Sequence, residues 1–101
     1  GFRDRFEREV APIRRLILFG SYARGDWDPG ESDVDLLVLV DSDAPGMRRR
    51  AVSIACRAGL DEGILLAPKV FTEERFRSRL GEGWLFETNV MREGVPFDDA
   101  A

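Results

Sequence analysis

Histidine is absent from this sequence, and cysteine occurs once, at Cys56. The first absence removes Ser–His and Cys–His nucleophilic pairs, histidine-ligated zinc and imidazole general bases together. The second removes an intramolecular disulfide and a thiolate metal cluster, and gives no reason to invoke an oxidising compartment. Long apolar runs are also lacking: none approaches the roughly 18 residues that suggest a membrane span. The opening stretch FRDRFEREV is charged throughout, unlike a signal peptide. The expectation is a cytoplasmic protein with no membrane partner. Basic charge is in deficit, 15 Lys and Arg against 19 Asp and Glu, so 15 − 19 = −4. No basic stripe stands out, and direct nucleic-acid binding is not expected. What remains for chemistry is a set of carboxylates, hydroxyls and arginines with one lysine, Lys69. That set favours magnesium and phosphate chemistry over acyl transfer.

With 101 residues, 44% of them hydrophobic, the chain can build one compact core, so a single domain over 1–101 is expected. Residues 2–9 read as a short amphipathic helix ending before Pro12. Arg15 to Phe19 is an apolar run stopped by Gly20 and reads as a buried strand; Ser21 then opens a helix of a turn or two. The loop DWDPGES follows. Asp33 to Val40 is the strongest strand, a run of Leu and Val too continuous for a half-exposed edge. Pro45 suits the first turn of a helix running through about Gly59, with Ala51, Val52, Ala55 and Cys56 as its buried stripe. A third strand is expected over Ile64–Phe71. Thr72 with the glutamates after it gives a helix N-terminal signal, and a last helix closes at Gly94. The order is α-β-α-β-α-β-α-α. The fold class is α/β (α+β), a small mixed sheet with helices packed on it.

Two signals carry chemistry. At the junction LILFGSYARG, Gly20 lets a phosphate approach the backbone, while Ser21 adds a hydroxyl at a helix start. Asp33 and Asp35, at i and i+2 on a strand, project from one face with Cα atoms roughly 6.5–7 Å apart. Oxygen donors of this kind suit Mg²⁺. Either signal alone has an ordinary account as a turn. Together they supply both halves of a nucleoside-triphosphate site.

The stretch Gly20-Ser21-Tyr22-Ala23-Arg24-Gly25, followed by Ser32-Asp33-Val34-Asp35-Leu36-Leu37-Val38, resembles the DNA polymerase beta-like nucleotidyltransferase superfamily, in particular its minimal nucleotidyltransferase domains. The later segments FTEERF and NVMREGVPF are similar to those domains as well. The resemblance implies the nucleotidyltransferase fold and transfer of a nucleoside monophosphate from an NTP, ATP in the first instance, to an acceptor hydroxyl. It also implies that Gly20 and Ser21 hold the β- and γ-phosphates and that Asp33 and Asp35 are catalytic and bind Mg²⁺. Arg24 could add a phosphate contact; a surface salt bridge is an equally good account of it. Minimal domains of this kind commonly pair with a HEPN-type protein as its antitoxin, and such a partner is expected here.

Two departures stand out. Between the Gly-Ser pair and the first aspartate the family spacing is ten residues, and Tyr22 to Ser32 makes eleven. The family's third carboxylate, on the next strand, has no counterpart in Ile64-Leu65-Leu66-Ala67-Pro68-Lys69-Val70-Phe71, where Lys69 instead brings a positive charge. This opens the alternative of an antitoxin that neutralises its partner by contact without turnover. Elsewhere, Arg48-Arg49-Arg50 reads as a solvated helix face and Cys56 as a small core residue. Tyr22 is expected to pack. Trp27 is a candidate for stacking on a base, and Trp84-Leu85-Phe86 is expected to lie mostly in the core.

Overall fold

The computed structural model describes residues 1–26 and 33–97. In chain order the elements are α1 (Phe2–Glu9), β1 (Ile13–Phe19), α2 (Ser21–Arg24), β2 (Val34–Val40), α3 (Met47–Glu62), β3 (Leu66–Thr72), α4 (Glu73–Gly81), α5 (Leu85–Glu93) and β4 (Val95–Pro96). They build one mixed sheet in the order β3-β2-β1-β4. β1 runs antiparallel to β2 and to β4, and β2 runs parallel to β3. A parallel pair needs a long crossover, and α3 supplies it. The expected α+β sheet fold is therefore present. No helix among the described residues is long and apolar enough to cross a membrane.

The continuous apolar run of β2 is explained by burial on both faces. Val34, Leu36, Val38 and Val40 point to one side, into a cluster with Phe2 and Phe6 of α1 and Ala51, Ile54, Ala55 and Ala58 of α3. Leu37 and Leu39 point to the other, against Ile17 of β1, Phe76 of α4 and Val90 of α5. Asp35 shares that second face by strand alternation.

Several boundaries and one stripe differ from the sequence expectation. β1 begins two residues earlier, at Ile13, whose N–H donates to a Glu7 carboxylate oxygen at 3.0 Å. The helix expected to end near Gly59 continues to Glu62. Gly59 serves close packing instead: a Cβ there would sit 2.3 Å from the Ile64 carbonyl oxygen. The actual stop is Gly63 in the left-handed region at φ +70°, with Ile64 N–H donating to Gly59 C=O at 2.9 Å. β3 accordingly starts at Leu66 rather than Ile64. Cys56 and Val52 are exposed, not core. The buried stripe of α3 follows Ala51, Ile54, Ala55 and Ala58, the 3.6-residue phase on which Cys56 lies outside.

The chain end also differs. Past Gly94 a two-residue strand, β4, pairs with Ile17 and Leu18, too short to carry a periodic signal. Of Trp84-Leu85-Phe86 only Phe86 packs inward, edge-on to Phe19 and Phe71 at 5.4 and 5.8 Å between ring centroids. Trp84 and Leu85 are exposed. Tyr22 is exposed as well, because α2 is a single turn lying beside the sheet end. Two expectations hold: Thr72 caps α4 by accepting from the Arg75 N–H at 3.1 Å, and Arg48, Arg49 and Arg50 face solvent.

Candidate active site

β1 ends at Phe19, opposite Asp35 at the start of β2. The antiparallel register therefore brings the Gly20-Ser21 turn and the aspartate pair to the same end of the sheet. Gly20 has φ +77° and ψ −153°, a conformation that only glycine adopts readily. A Cβ built on it would lie 2.2 Å from Oδ2 of Asp35. The missing side chain thus leaves room for the Asp35 carboxylate against the turn, an approach that neither motif reveals separately. Ser21 opens α2, which ends at Gly25.

Asp33 immediately precedes β2 and is exposed, while Asp35 is half-buried. Burial raises the pKa of Asp35 above its ordinary 3.8; Asp33 adds to the rise, and Lys69 and Arg24 oppose it. Desolvation and a like charge both disfavour the carboxylate, and the two cations compensate for them only in part. A raised folded-state pKa means that the folded chain holds a proton the unfolded chain has released. Stability of the cation-free protein therefore falls as pH rises from about the ordinary value through the raised one, and stays at the lower level above it. Asp35→Asn carries no such cost. We expect that variant, without divalent cations, to melt above wild type at pH 7, with the gap closing as the pH is taken below the ordinary value; thermal melts across that range would refute this if the variant melted lower at pH 7.

Arg24, one turn after Ser21, lies 3.4 Å from Glu93 of α5 and 3.6 Å from Asp26. It forms a surface ion pair, as one of the two readings expects, and its charge reaches Asp35, whose rise it opposes. On β3 the parallel register pairs Ala67 with Asp35 and Lys69 with Leu37. A small apolar side chain thus stands where a neighbouring-strand carboxylate would face the pair. Among the described residues no group of three or more His, Cys, Asp or Glu gathers as a metal cluster. Trp27 and Ser32 fall outside the described residues.

A glycine turn thus abuts a half-buried aspartate, with a second, exposed aspartate two residues before it, at one end of an α+β sheet. The nucleotidyltransferase domain family matches residues 1–91. Two proteins of Methanocaldococcus jannaschii, each named "Putative protein adenylyltransferase", are similar to the chain. One is 37% identical over 82 residues, 81% of this chain and 75% of that protein. The other is 48% identical over 73 residues, 65% of this chain and 72% of that protein. The chain belongs to the nucleotidyltransferase domain family, as a minimal nucleotidyltransferase of the DNA polymerase beta-like superfamily.

Proposed function

We propose that this chain transfers a nucleoside monophosphate from ATP to a hydroxyl of an acceptor protein, with Mg²⁺ bound by Asp33 and Asp35. The observation that carries this reading is the contact between turn and carboxylate: no side chain on Gly20 and the Oδ2 of Asp35 in the space a Cβ would fill. The donor set fits the cation, since two carboxylates with open exposure on the Asp33 side suit a hard ion that keeps several waters. Bound there, Mg²⁺ would neutralise charge on the phosphates.

In the reaction the acceptor hydroxyl gives up its proton to water as its oxygen forms a bond to the α-phosphorus, the α–β anhydride bond breaks, and pyrophosphate leaves. Gly20 and Ser21 hold the β- and γ-phosphates, and Arg24 adds a contact at the turn. The chemistry asks the protein for positioning and charge rather than a covalent intermediate, which suits a site without histidine or a buried nucleophile. The names of the two relatives favour ATP as donor and a protein as acceptor. We extend the proposal to a HEPN-type protein as partner, with this chain as its antitoxin. Exposed Trp84, Leu85, Met91 and Val95, on and beside α5, offer apolar surface for such a contact.

The test is Mg²⁺-dependent transfer of label from α-labelled ATP by the purified chain, with cell extract as acceptor source. Labelling should disappear in the Asp33→Asn/Asp35→Asn double variant. Labelling that survives it would remove the aspartates from the site; no labelling by wild type, together with binding of a HEPN partner, would make the chain an antitoxin that acts by contact.

A further inference from the structure

Two cations act on Asp35, and they differ in what already holds them. Arg24 lies between the carboxylates of Glu93 and Asp26, at 3.4 and 3.6 Å. Lys69 is exposed and engages in no ion pair or hydrogen bond among the described residues. Its position is nonetheless specific. In β3, Leu66 and Val70 turn to the α1–α3 face, so Ala67, Lys69 and Phe71 share the face of Asp35, Leu37 and Leu39. Lys69 pairs in register with Leu37, which is completely buried, two residues along the strand from the Asp35–Ala67 pair. Its stem therefore starts beside the core while the residue is exposed, and its charge reaches Asp35. A lysine kept there only to neutralise Asp35 would close onto it.

The charge count points the same way. Three carboxylates with two divalent cations would leave one positive unit facing the triphosphate. Two carboxylates with one divalent cation leave none, and a lysine ammonium restores that unit. Ala67 stands where a third acid would face Asp35, and Lys69 is the next residue on that face.

We propose that Lys69 is a triphosphate-positioning residue: its ammonium contacts the β- and γ-phosphates and supplies the positive charge that a second cation on a third carboxylate would otherwise bring. This rests on the nucleotide reading of the site given above. It predicts a one-cation site in which the lysine discriminates by phosphate number, because the ammonium meets the leaving pyrophosphate portion and not the α-phosphate or the base.

Calorimetric titration tests it on the full chain, with the α,β-methylene analogue of ATP in Mg²⁺ and, separately, with AMP. Lys69→Ala should weaken binding of the triphosphate analogue roughly 10-fold or more, the loss of one charge-assisted contact, and change AMP binding by less than about 2-fold. Lys69→Arg should keep most of the triphosphate affinity. Unchanged triphosphate affinity in Lys69→Ala would overturn the proposal. So would an equal loss for AMP and triphosphate, which marks a structural role. If wild type binds neither nucleotide, the nucleotide reading fails and the proposal with it, whereas a binding wild type and an indifferent Lys69→Ala refute the lysine alone.

Discussion

Gly20→Ala should lower label transfer more than about 100-fold while leaving the protein folded, the scale of losing a preorganised contact at a phosphoryl centre. Two effects act at this position. The backbone at φ +77° lies where a side chain is strained, at roughly 1–2 kcal/mol. The new methyl also meets Oδ2 of Asp35 at 2.2 Å. That oxygen is the tip of a rotatable side chain, so the fold escapes the clash by turning Asp35 away. The site does not escape it, because the carboxylate that rotates is the one required beside the turn. A variant that melts within about 4–16 °C of wild type but no longer labels would fit this account, taking ~4–8 °C per kcal/mol for a domain of this size. Labelling within tenfold of wild type would sink it.

Arg79→Ala is expected to destabilise the protein by about 3–5 kcal/mol, a large share of the roughly 5–15 kcal/mol that an ordinary domain has in total. Glu87 on α5 is completely buried, and among the described residues its one close cation is Arg79 of α4, with Nε 2.9 Å from Oε2. The approach lacks the alignment of a hydrogen bond, so the attraction is chiefly Coulombic and both Glu87 oxygens have no hydrogen-bond partner among the described residues. The guanidinium is further held over the Trp84 ring, 4.1 Å from its centroid, and the indole N–H donates to Glu82 at 3.2 Å. Removing the arginine strands a buried carboxylate. Removing both charges does not, so Arg79→Leu/Glu87→Leu should unfold in urea close to wild type. A single variant that loses less than about 1 kcal/mol would show that Glu87 reaches water by another route.

Both predictions depend on contacts between distant parts of the chain. The strand β2 was legible because seven successive residues that are nearly all Val and Leu admit few other accounts. Thr72 was legible because a cap is a local hydrogen bond three residues long. The phase of α3 was not: Ala51, Val52, Ala55 and Cys56 and the observed Ala51, Ile54, Ala55 and Ala58 are both helical stripes, and only the position of the sheet chooses between them. Glu87 gave no signal at all, since a glutamate in the first turn of a helix normally faces water.

The candidate site divides in the same way. Gly20, Ser21, Asp33 and Asp35 could be named from two short motifs because the residue types at that spacing suit phosphate and a hard cation. The sequence by itself determined the chemistry available: no histidine, one lysine, two aspartates at the start of one strand and a glycine after another. It also determined the elements whose stabilisation is local or overwhelmingly apolar. Tertiary structure decided which of those groups meet. Strand register sets Asp35 across from Phe19 and beside Ala67, so that Gly20 adjoins the carboxylate and Lys69 shares its face. It also turns Arg24 toward Glu93, 69 residues away. Register and helix docking arise from packing two faces of one sheet at once, a condition on the whole chain that no local stretch of residues contains.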